Sequence, residues 1–388
     1  MRILHVIPSV HPAGGGPIEA VTRLGMEYVR QGSEVEVLTL DAPDADCLKG
    51  FPLRCHPVGP AYLKYGYTMR LVPWLRRHAA TFDLIVVNGV WQYTSFAVWR
   101  VLRDGNTPYV VFTHGMLDPW FKRRYPLKHL KKWMYWPWAE YRVLRDAAAV
   151  LFTSEEERRL ARESFWLYRC NEQVINYGTA APPMDDGSGG ALFRQTFPSV
   201  GDKRIILFIG RIHEKKGCEL LVEAFGSFLR EHPDARESWQ LVLAGPQTSD
   251  GYTRAIQRQV DKSCPPGSVT WTGMLTGALK WSAFRAADVF ALTSHQENFG
   301  IAVAEALACG LPVLLSNQVN IWREIVNDEA GFVENDDVPG ARALLHRWMA
   351  LDEDARARMR TNAVRCFNTR FDVRHTAVRL TQTFEAFV

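Results

Sequence analysis

The 388-residue sequence is short of several features that mark other protein classes. No apolar run approaches the roughly 18 residues that a membrane-spanning helix needs. The seven cysteines form no CxxC pair and no Cys/His cluster with zinc spacing, so buried free thiols are expected. The net charge is only +4, which by itself does not indicate nucleic-acid binding. These absences argue against a helical membrane anchor and a zinc module.

Two common nucleotide-binding fingerprints are missing as well. Three glycines at 14–16 follow the first apolar segment, but the last glycine of a GxGxxG pattern would fall on Glu19. The P-loop pattern GxxxxGK[ST] does not occur. The acidic clusters at 41–46 and 185–186 lie in loop-like or linker-like surroundings, so neither predicts an Asp-x-Asp metal site at a strand end.

What the sequence does contain is short apolar runs that alternate with helix-like segments, in two series. The first series lies at 3–7, 34–40, 83–88, 109–113, 148–152 and 173–177, and the second at 204–210, 239–244, 268–272, 289–293, 312–316 and 331–333. Such alternation predicts parallel sheets covered by helices on both faces. The chain length also favours two domains over a single core. The predicted fold class is therefore α/β, with two Rossmann-like domains.

Composition suggests where these domains meet. Residues 180–190 are the stretch richest in Pro, Gly and Asp, which is typical of a linker. We expect an N-terminal domain at 1–179, a linker at 180–202 and a C-terminal domain at 203–369. The apolar part of the amino terminus is too short for a signal peptide, so we expect a first core strand there and a cytoplasmic protein.

Two glutamates eight positions apart, Glu297 and Glu305, are the most informative feature of the second series. An apolar strand precedes them, Gly300 opens a helical run that includes the second, and another strand begins near Val313. This βαβ pattern places both carboxylates beyond the carboxyl end of a strand, where ligands bind in such folds. Carboxylates can accept bonds from sugar and ribose hydroxyls while the helix N-terminus faces a phosphate. A nucleotide sugar would satisfy both features, whereas surface glutamates would be the unremarkable alternative.

A cationic turn upstream supports the nucleotide-sugar interpretation. The apolar run at 205–209 ends at Gly210, and Arg211 and Lys216 follow before Gly217. Arg forms bidentate bonds to phosphate oxygens and Lys supplies a compact charge, so the two cations fit a diphosphate. The alternative is an ordinary cationic surface turn.

Together these segments resemble the G-R-x-x-x-x-K-G loop and the E-x7-E motif of the retaining glycosyltransferases of family 4, in the same order. The resemblance covers nearly the whole chain. It implies a GT-B fold with an interdomain active-site cleft and a C-terminal helix at 370–388 that crosses back to the N-terminal domain.

The resemblance also implies roles for the second series. Glu297 would contact the hydroxyls of the donor sugar, and Glu305 would hold the ribose hydroxyls. Phe299, Gly300 and Ile301 would offer backbone N–H groups to the diphosphate, which is also a physical expectation for a helix N-terminus.

Three further residues complete the predicted donor site. Arg211 and Lys216 would offset the charge of the leaving group without a metal ion, so no cofactor is expected. Met274 follows a glycine turn that in similar enzymes passes over the nucleotide base. Main-chain contacts reveal little about the base, so UDP, GDP and ADP all stay open.

The N-terminal half contributes two elements to the prediction. Gly15 and Gly16 lie in a flexible loop that can approach a phosphate or sugar closely. His114 follows a strand and precedes a glycine, and the family has a strand-end histidine that reaches the donor sugar. A structural role is the alternative for a lone histidine. Residues after neighbouring strands are candidates for the acceptor site: Asn88, Trp91 and Trp120.

Residues 120–145 combine basic and aromatic side chains. The stretch contains Lys122, Arg123, Arg124, Lys128, Lys131, Lys132, Arg142 and Arg145 among Trp133, Tyr135, Trp136, Trp138 and Tyr141. Contact with an anionic membrane is one interpretation. Nucleic acid is another, although we predict no nucleic-acid partner. A helix that buries its aromatics and exposes its cations is the third.

The sequence thus predicts a retaining, metal-independent glycosyltransferase. It would move a hexose from a nucleotide-diphosphate sugar to a saccharide or lipid-linked acceptor in surface polysaccharide biosynthesis, in the cytoplasm or at the inner face of the membrane. One alternative is another GT-B activity on soluble sugars, such as an epimerase or a disaccharide synthase. The other is a catalytically silent protein that binds nucleotide sugars or membranes.

Overall fold

The computed structural model describes residues 1–124, 126–185, 187–246 and 251–388. Asp186 in the predicted linker, and Tyr125 with the side chain of Arg123 in the basic stretch, lie outside the described part. The chain divides into two compact units. Unit 1 comprises Met1–Thr179 and Asp372–Val388, and unit 2 comprises Ala180–Phe371.

Unit 1 is built on a parallel sheet. Its strands in chain order are β1 (Arg2–Ile7), β2 (Glu34–Thr39), β3 (Arg54–Pro57), β4 (Leu84–Asn88), β5 (Tyr109–Phe112), β6 (Ala149–Phe152) and β7 (Glu172–Val174). Their order across the sheet is β3-β2-β1-β4-β5-β6-β7, and each pairing is parallel. The central strands are mostly apolar, because helices cover both faces of such a sheet.

Amphipathic helices cover this sheet. They are α1 (Gly16–Arg30), α2 (Leu71–His78), α3 (Tyr93–Leu102), α4 (Trp120–Arg124), α5 (Pro126–Tyr135), α6 (Glu140–Asp146) and α7 (Glu155–Ala161). Helix α1 shows why they dock: it buries Ile18, Val21 and Leu24, which recur at three-residue intervals on one face.

Unit 2 repeats the architecture. Its strands are β8 (Arg204–Ile209), β9 (Trp239–Ala244), β10 (Val269–Gly273), β11 (Val289–Leu292), β12 (Val313–Ser316) and β13 (Gly331–Glu334). They form a parallel sheet in the order β10-β9-β8-β11-β12-β13. The predicted fold class of two Rossmann-like α/β domains is therefore confirmed.

The helices of unit 2 alternate with these strands. They are α8 (Ala191–Thr196), α9 (Cys218–Glu231), α10 (Gly251–Ser263), α11 (Gly277–Ala286), α12 (Ile301–Ala308), α13 (Trp322–Asn327), α14 (Val338–Met349) and α15 (Glu353–Cys366). A final helix, α16 (Val373–Glu385), belongs to unit 1. None of the helices in the described ranges is both long and apolar enough to cross a membrane.

Helix α16 packs against α1 at the start of the chain. Leu380 is fully buried, and the ring of Phe384 lies 6.0 Å from that of Tyr28. Asp372 caps the helix by accepting a bond from the Arg374 N–H at 2.9 Å. A Cβ on Gly178 would lie 2.5 Å from Val373 Cα, so only glycine permits this close approach.

The structure corrects the predicted linker at 180–202. Residues 191–196 form α8, whose Phe193 is fully buried and donates its backbone N–H to Ser282 Oγ at 3.0 Å. A Cβ on Gly190 would lie 2.5 Å from Ala286 Cα, so this glycine lets the segment approach α11 closely. The second half of the predicted linker is therefore a packed part of unit 2.

Candidate active site

The order of the strands in unit 2 brings two predicted segments together. Chain order runs outward from β8 through β9 to β10, and then returns to the other side of β8 with β11. Ligands bind at this type of reversal, beyond the carboxyl ends of the strands. The segment with Arg211 and Lys216 follows β8, and the segment with Glu297 follows β11. The two segments are therefore neighbours at the switch point of the sheet.

The loop after β8 is fixed against the end of β11. Lys216 ends a short 3₁₀ turn, and Gly217 has φ of 60°. A Cβ on Gly217 would lie 2.0 Å from the carbonyl oxygen of Thr293, so only glycine fits. The Thr293 hydroxyl donates to the Gly217 carbonyl at 2.7 Å. The cationic loop is thus held against the segment that leads to Glu297, while Arg211 is exposed.

Lys216 and Glu297 form an ion pair between their side chains. Both side chains are mostly buried, with 20% and 18% exposed. The backbone around Glu297 is also fixed, because its N–H donates to the Gln318 carbonyl and its carbonyl accepts from Asn320 N–H, both at 3.0 Å. The pair presents a cation and a carboxylate side by side at the end of the sheet.

The N-terminus of α12 lies next to this pair in sequence. Gly300 precedes the helix with φ of 73°, and no described side chain caps the helix there. Phe299 is buried and packs edge-on against Phe371, with ring centroids 5.5 Å apart. Ile301 begins the helix. The first backbone N–H groups of an uncapped helix suit a phosphate.

Glu305 lies further along α12 and is 5% exposed. Its carboxylate accepts a bond from Lys280 Nζ of α11 at 2.7 Å. Lys280 Nζ also lies 4.5 Å from the ring centroid of Trp281. The sequence prediction did not include Lys280. A ribose bound by Glu305 would share or displace this cation.

Met274 follows β10, at the edge of the same sheet. Its side chain is 70% exposed. Gly273 before it has φ of 70°, and its carbonyl accepts from Gly245 N–H at 2.8 Å. Strand β9 separates β10 from β8, so Met274 lies further along the carboxyl edge than the Lys216–Glu297 pair.

In unit 1 the structure brings His114 and Asn88 together. Asn88 ends β4 and His114 follows β5, and the two strands are neighbours. His114 Nε2 lies 3.3 Å from Asn88 Oδ1. Asn88 is 3% exposed and donates to the Val86 carbonyl at 3.2 Å. Asn88 thus lies within hydrogen-bond distance of His114, and its predicted contact with an acceptor stays a prediction.

His114 has an unusual backbone conformation and a lowered pKa. Its φ is 48°, and its ring stacks on Phe112 and meets the ring of Tyr177 edge-on. Burial, with a further contribution from nearby His5, lowers the pKa of His114 to about 3. The imidazole is therefore neutral at physiological pH and can donate or accept a hydrogen bond.

The predicted glycine loop lies between β1 and α1. Gly15 has φ of 71° and precedes α1, which begins at Gly16, and both glycines are exposed. Asp41 anchors the start of the loop by accepting bonds from Ser9 Oγ at 2.6 Å and Val10 N–H at 2.8 Å. The sequence placed Asp41 in a loop-like region and gave no sign of this role.

Trp91 is held by internal contacts. Its backbone has φ of 70°, its N–H donates to Glu140 at 2.9 Å, and its indole N–H donates to the Met116 carbonyl at 3.0 Å. The ring packs against Phe165 at 5.0 Å, and Lys132 Nζ lies 4.6 Å from its centroid. These contacts use the ring that we predicted to stack on an acceptor sugar, so its position indicates a structural role.

Trp120, the third predicted acceptor residue, begins α4 and is partly buried. Its backbone N–H donates to Asp118 Oδ1 at 2.8 Å. This bond fixes the start of the basic and aromatic stretch. It does not by itself indicate a ligand.

Two family models match this chain. "Glycosyl transferases group 1" matches residues 191–365, and "Glycosyl transferase 4-like domain" matches residues 15–178. Together they cover most of both units. The chain belongs to the family 4 glycosyltransferases. The predicted resemblance is thereby confirmed.

Individual relatives differ in how much of the chain they match. A D-inositol 3-phosphate glycosyltransferase of Kineococcus radiotolerans is 27% identical over 50% of this chain but only 45% of its own length, so the chain spans about half of that relative. The GDP-mannose:cellobiosyl-diphosphopolyprenol alpha-mannosyltransferase of Xanthomonas campestris is 24% identical over 100% of this chain and 97% of the relative. Anabaena HepE in complex with UDP is 18% identical, with a TM-score of 0.78 over 100% of both chains. That structural likeness confirms the GT-B fold.

In this chain the basic and aromatic stretch is partly core and partly surface. Trp136 is fully buried, and Tyr141 packs at the margin of the core. In contrast, α5 has no buried residue among those described, and Leu127, Trp133 and Met134 are exposed. Lys128 and Lys131 on the same helix are exposed as well. Burial of the aromatics is therefore the correct interpretation for Trp136 but not for α5.

Proposed function

We propose that the protein is a retaining, metal-independent glycosyltransferase that transfers a hexose from a nucleotide-diphosphate sugar. The Lys216–Glu297 ion pair at the switch point of unit 2 carries the proposal. It places a cation for the diphosphate beside a carboxylate for the sugar, next to the uncapped N-terminus of α12. Retention of configuration rests on the family resemblance.

The proposed reaction breaks the bond between the anomeric carbon and the diphosphate oxygen. The electron pair leaves with the diphosphate, and Arg211, Lys216 and the first N–H groups of α12 offset the charge that develops. The acceptor hydroxyl bonds to the anomeric carbon, and its proton passes to the departing diphosphate oxygen. Glu297 accepts bonds from the hydroxyls of the sugar. These cations replace a metal ion in this scheme, so no cofactor is proposed.

We further propose a lipid-linked saccharide as the acceptor, used in surface polysaccharide biosynthesis. The relative that spans this chain almost completely is named for a diphosphopolyprenol acceptor. A cavity of about 600 Å³ beside α5 is lined by Lys122, Pro126, His129, Leu130, Trp133, Glu163, Ser164, Phe165 and Trp166. Exposed apolar side chains at this cavity, with exposed Lys128 and Lys131 on the same helix, suit an amphiphile with an anionic head group. The proposed place of action is the inner face of a membrane.

A donor screen tests the first part of this proposal. UDP-, GDP- and ADP-sugars are added separately, and the melting temperature is measured. A ligand at a hundred times its Kd stabilises the folded state by about 2.7 kcal/mol, which a thermal shift detects. No shift with any nucleotide sugar would refute the donor assignment.

An acceptor assay with the best donor tests the second part. A short polyprenyl-diphosphate saccharide is compared with glucose, fructose 6-phosphate and glucose 6-phosphate. We expect transfer to the lipid-linked acceptor with retained anomeric configuration, read by NMR of the product. Transfer only to soluble sugars would replace the proposal with a disaccharide synthase. Conversion of the donor sugar without transfer would indicate an epimerase, and binding without turnover a silent protein.

A further inference from the structure

His295 lies two residues before Glu297 and contacts two carboxylates. Its Nε2 lies 2.6 Å from Glu219 Oε1, and its Nδ1 lies 3.0 Å from Asp336 Oδ2. A neutral imidazole has a single N–H, whereas two carboxylate acceptors require two donors. We infer that His295 is held as an imidazolium and positions Glu297 and Lys216 for glycosyl transfer. This inference rests on the proposed function.

The imidazolium connects several separate segments of unit 2. Glu219 lies in the first turn of α9, and Asp336 follows β13. The backbone N–H of His295 donates to the Lys215 carbonyl at 2.8 Å, immediately before Lys216. His295 therefore links the segment that carries Glu297 to the loop that carries Lys216 and to two further elements.

A second layer of contacts strengthens this arrangement. Lys215 Nζ donates to Gln296 Oε1 at 3.2 Å, so the two segments are joined at Gln296 as well as at His295. The hydroxyl of Tyr252, on α10, donates to the Glu219 carboxylate. The ionisable groups that face the His295 ring are Glu219 and Asp336, with Tyr252 behind Glu219, while Lys215 meets His295 through a backbone hydrogen bond.

The charge state follows from these contacts. The hydrogen bonds to Asp336 and Glu219 raise the pKa of His295 to about 9, although burial acts in the opposite direction. Burial raises the pKa of Glu219, but bonds from His295 and Tyr252 leave it below the ordinary glutamate value. His295 and Glu219 are therefore both charged at neutral pH.

The sign of the pH dependence is fixed by the raised pKa. The folded state holds the His295 proton more tightly than the unfolded chain does. The contribution of protonated His295 to the stability of the folded state is therefore complete below the ordinary pKa of about 6.5. It is lost as the pH rises through about 9. Above that pH one carboxylate faces a lone pair of the ring instead of an N–H, and the link to the Glu297 segment weakens.

The test uses the pH profile of kcat together with NMR titration of the His295 ring. In the wild type we expect kcat to fall as the pH rises through about 9. Glu219→Gln and Asp336→Asn should each move this fall, and the NMR pKa of His295, to lower pH. His295→Gln should lower kcat about 10- to 100-fold, because small displacements of reacting groups are costly, and should abolish the fall.

His346→Gln is the matched control. His346 also pairs with a carboxylate in unit 2, since its Nε2 lies 3.1 Å from Glu231 Oε2. This variant should keep the wild-type kcat and pH profile. Circular dichroism at each pH shows whether the variants are folded. If His295→Gln does not fold, Glu219→Gln retains the ring and still shows whether the alkaline fall moves.

A His295 pKa near 6.5, or an alkaline fall that persists in His295→Gln, would overturn the inference. Failure of the proposed function is a separate outcome. If the wild type neither binds nor turns over any nucleotide sugar, the NMR titration still shows whether the ring holds its proton to about pH 9. In that case the positioning role in transfer falls together with the proposed function.

Discussion

At the scale of single residues, the contact between Lys216 and Glu297 explains what one substitution would do. Lys216→Ala removes a mostly buried cation from the predicted diphosphate site and leaves Glu297 without its ion-pair partner. We expect nucleoside diphosphate binding to weaken by about 2 to 5 kcal/mol, because a desolvated charge then has no partner. This corresponds to more than about tenfold in affinity. Arg211→Ala should act in the same direction.

Calorimetry with UDP, GDP and ADP measures this effect. Lys203→Ala is a suitable control, because Lys203 precedes the opposite end of β8. It should bind the diphosphate like the wild type. Wild-type affinity in both Lys216→Ala and Arg211→Ala would remove the diphosphate from this loop.

The two glutamates should differ in their kinetic effects. Glu297→Gln should chiefly lower kcat, because Glu297 is assigned to the reacting sugar. Glu305→Gln should chiefly raise KM for the donor, because Glu305 is assigned to the ribose and already holds Lys280. Steady-state kinetics separate the two effects.

Glu237→Gln, an exposed residue of unit 2, is the control for both glutamate variants. It should leave kcat and KM unchanged. If the Glu297 and Glu305 variants also keep wild-type kinetics, the E-x7-E glutamates are structural.

At the scale of elements, the sequence predicts the buried strands well but misses one edge strand. The run at 205–209 is apolar throughout, since both faces of a central parallel strand are covered. Strand β3 was missed because its sequence, Arg-Cys-His-Pro, has no apolar run and ends in proline. It lies at the edge of the sheet and pairs only with β2, where proline is tolerated.

Helix α5 supports an element-scale prediction about membranes. Lys128 and Lys131 are exposed beside exposed Leu127 and Leu130, so the helix should bind anionic vesicles. Each cation near such a surface contributes about 1 kcal/mol. Binding should fall as salt rises, because screening shortens the range of the attraction. Co-sedimentation with vesicles containing anionic or only zwitterionic lipid measures it.

The variants for this test change lysines whose side chains are exposed. Lys128→Glu with Lys131→Glu should abolish binding, whereas Lys132 is kept because its Nζ lies over the ring of Trp91. Arg76→Glu with Arg77→Glu, at exposed positions of α2, is the charge-matched control and should bind like the wild type. Equal binding by both double variants would make α5 an ordinary solvated helix and would favour a soluble acceptor.

At the scale of the whole molecule, the sequence reveals the short motifs but not the contacts between residues that lie far apart along the chain. Glycines, cations and glutamates of the donor site form short motifs that can be read along the chain. Lys280 lies 25 residues from Glu305, and His295 lies 76 and 41 residues from Glu219 and Asp336. No periodicity or spacing links such residues, because the fold alone brings them together. The motifs of the candidate site could thus be found in the sequence, but the contacts that join them could not, and their assignment to a donor stays a prediction.

The position of potential metal ligands bears on whether the proposed transfer needs a metal ion. Among the described residues, one group with ligand atoms close enough to share a metal ion is Glu231, His232 and His346. It lies at the C-terminal end of α9, whereas Lys216 precedes the N-terminus of that helix. Fourteen helical residues separate the two ends by about 20 Å. A metal ion in that group would therefore lie far from the proposed leaving group.

Activity should consequently survive excess EDTA, because in the proposed reaction protein cations and a helix N-terminus stabilise the departing diphosphate. Initial rates are measured with and without EDTA, and again after addition of Mg²⁺ or Mn²⁺. A variant with His232→Ala and His346→Ala removes two ligands of the distant group. If EDTA lowers the melting temperature of the wild type by removing a metal ion from that group, it should not do so in the variant. The kcat of the variant should equal the wild-type value. Loss of activity in EDTA that a divalent ion restores in both proteins would show that a metal ion, rather than Arg211 and Lys216, offsets the charge of the leaving group.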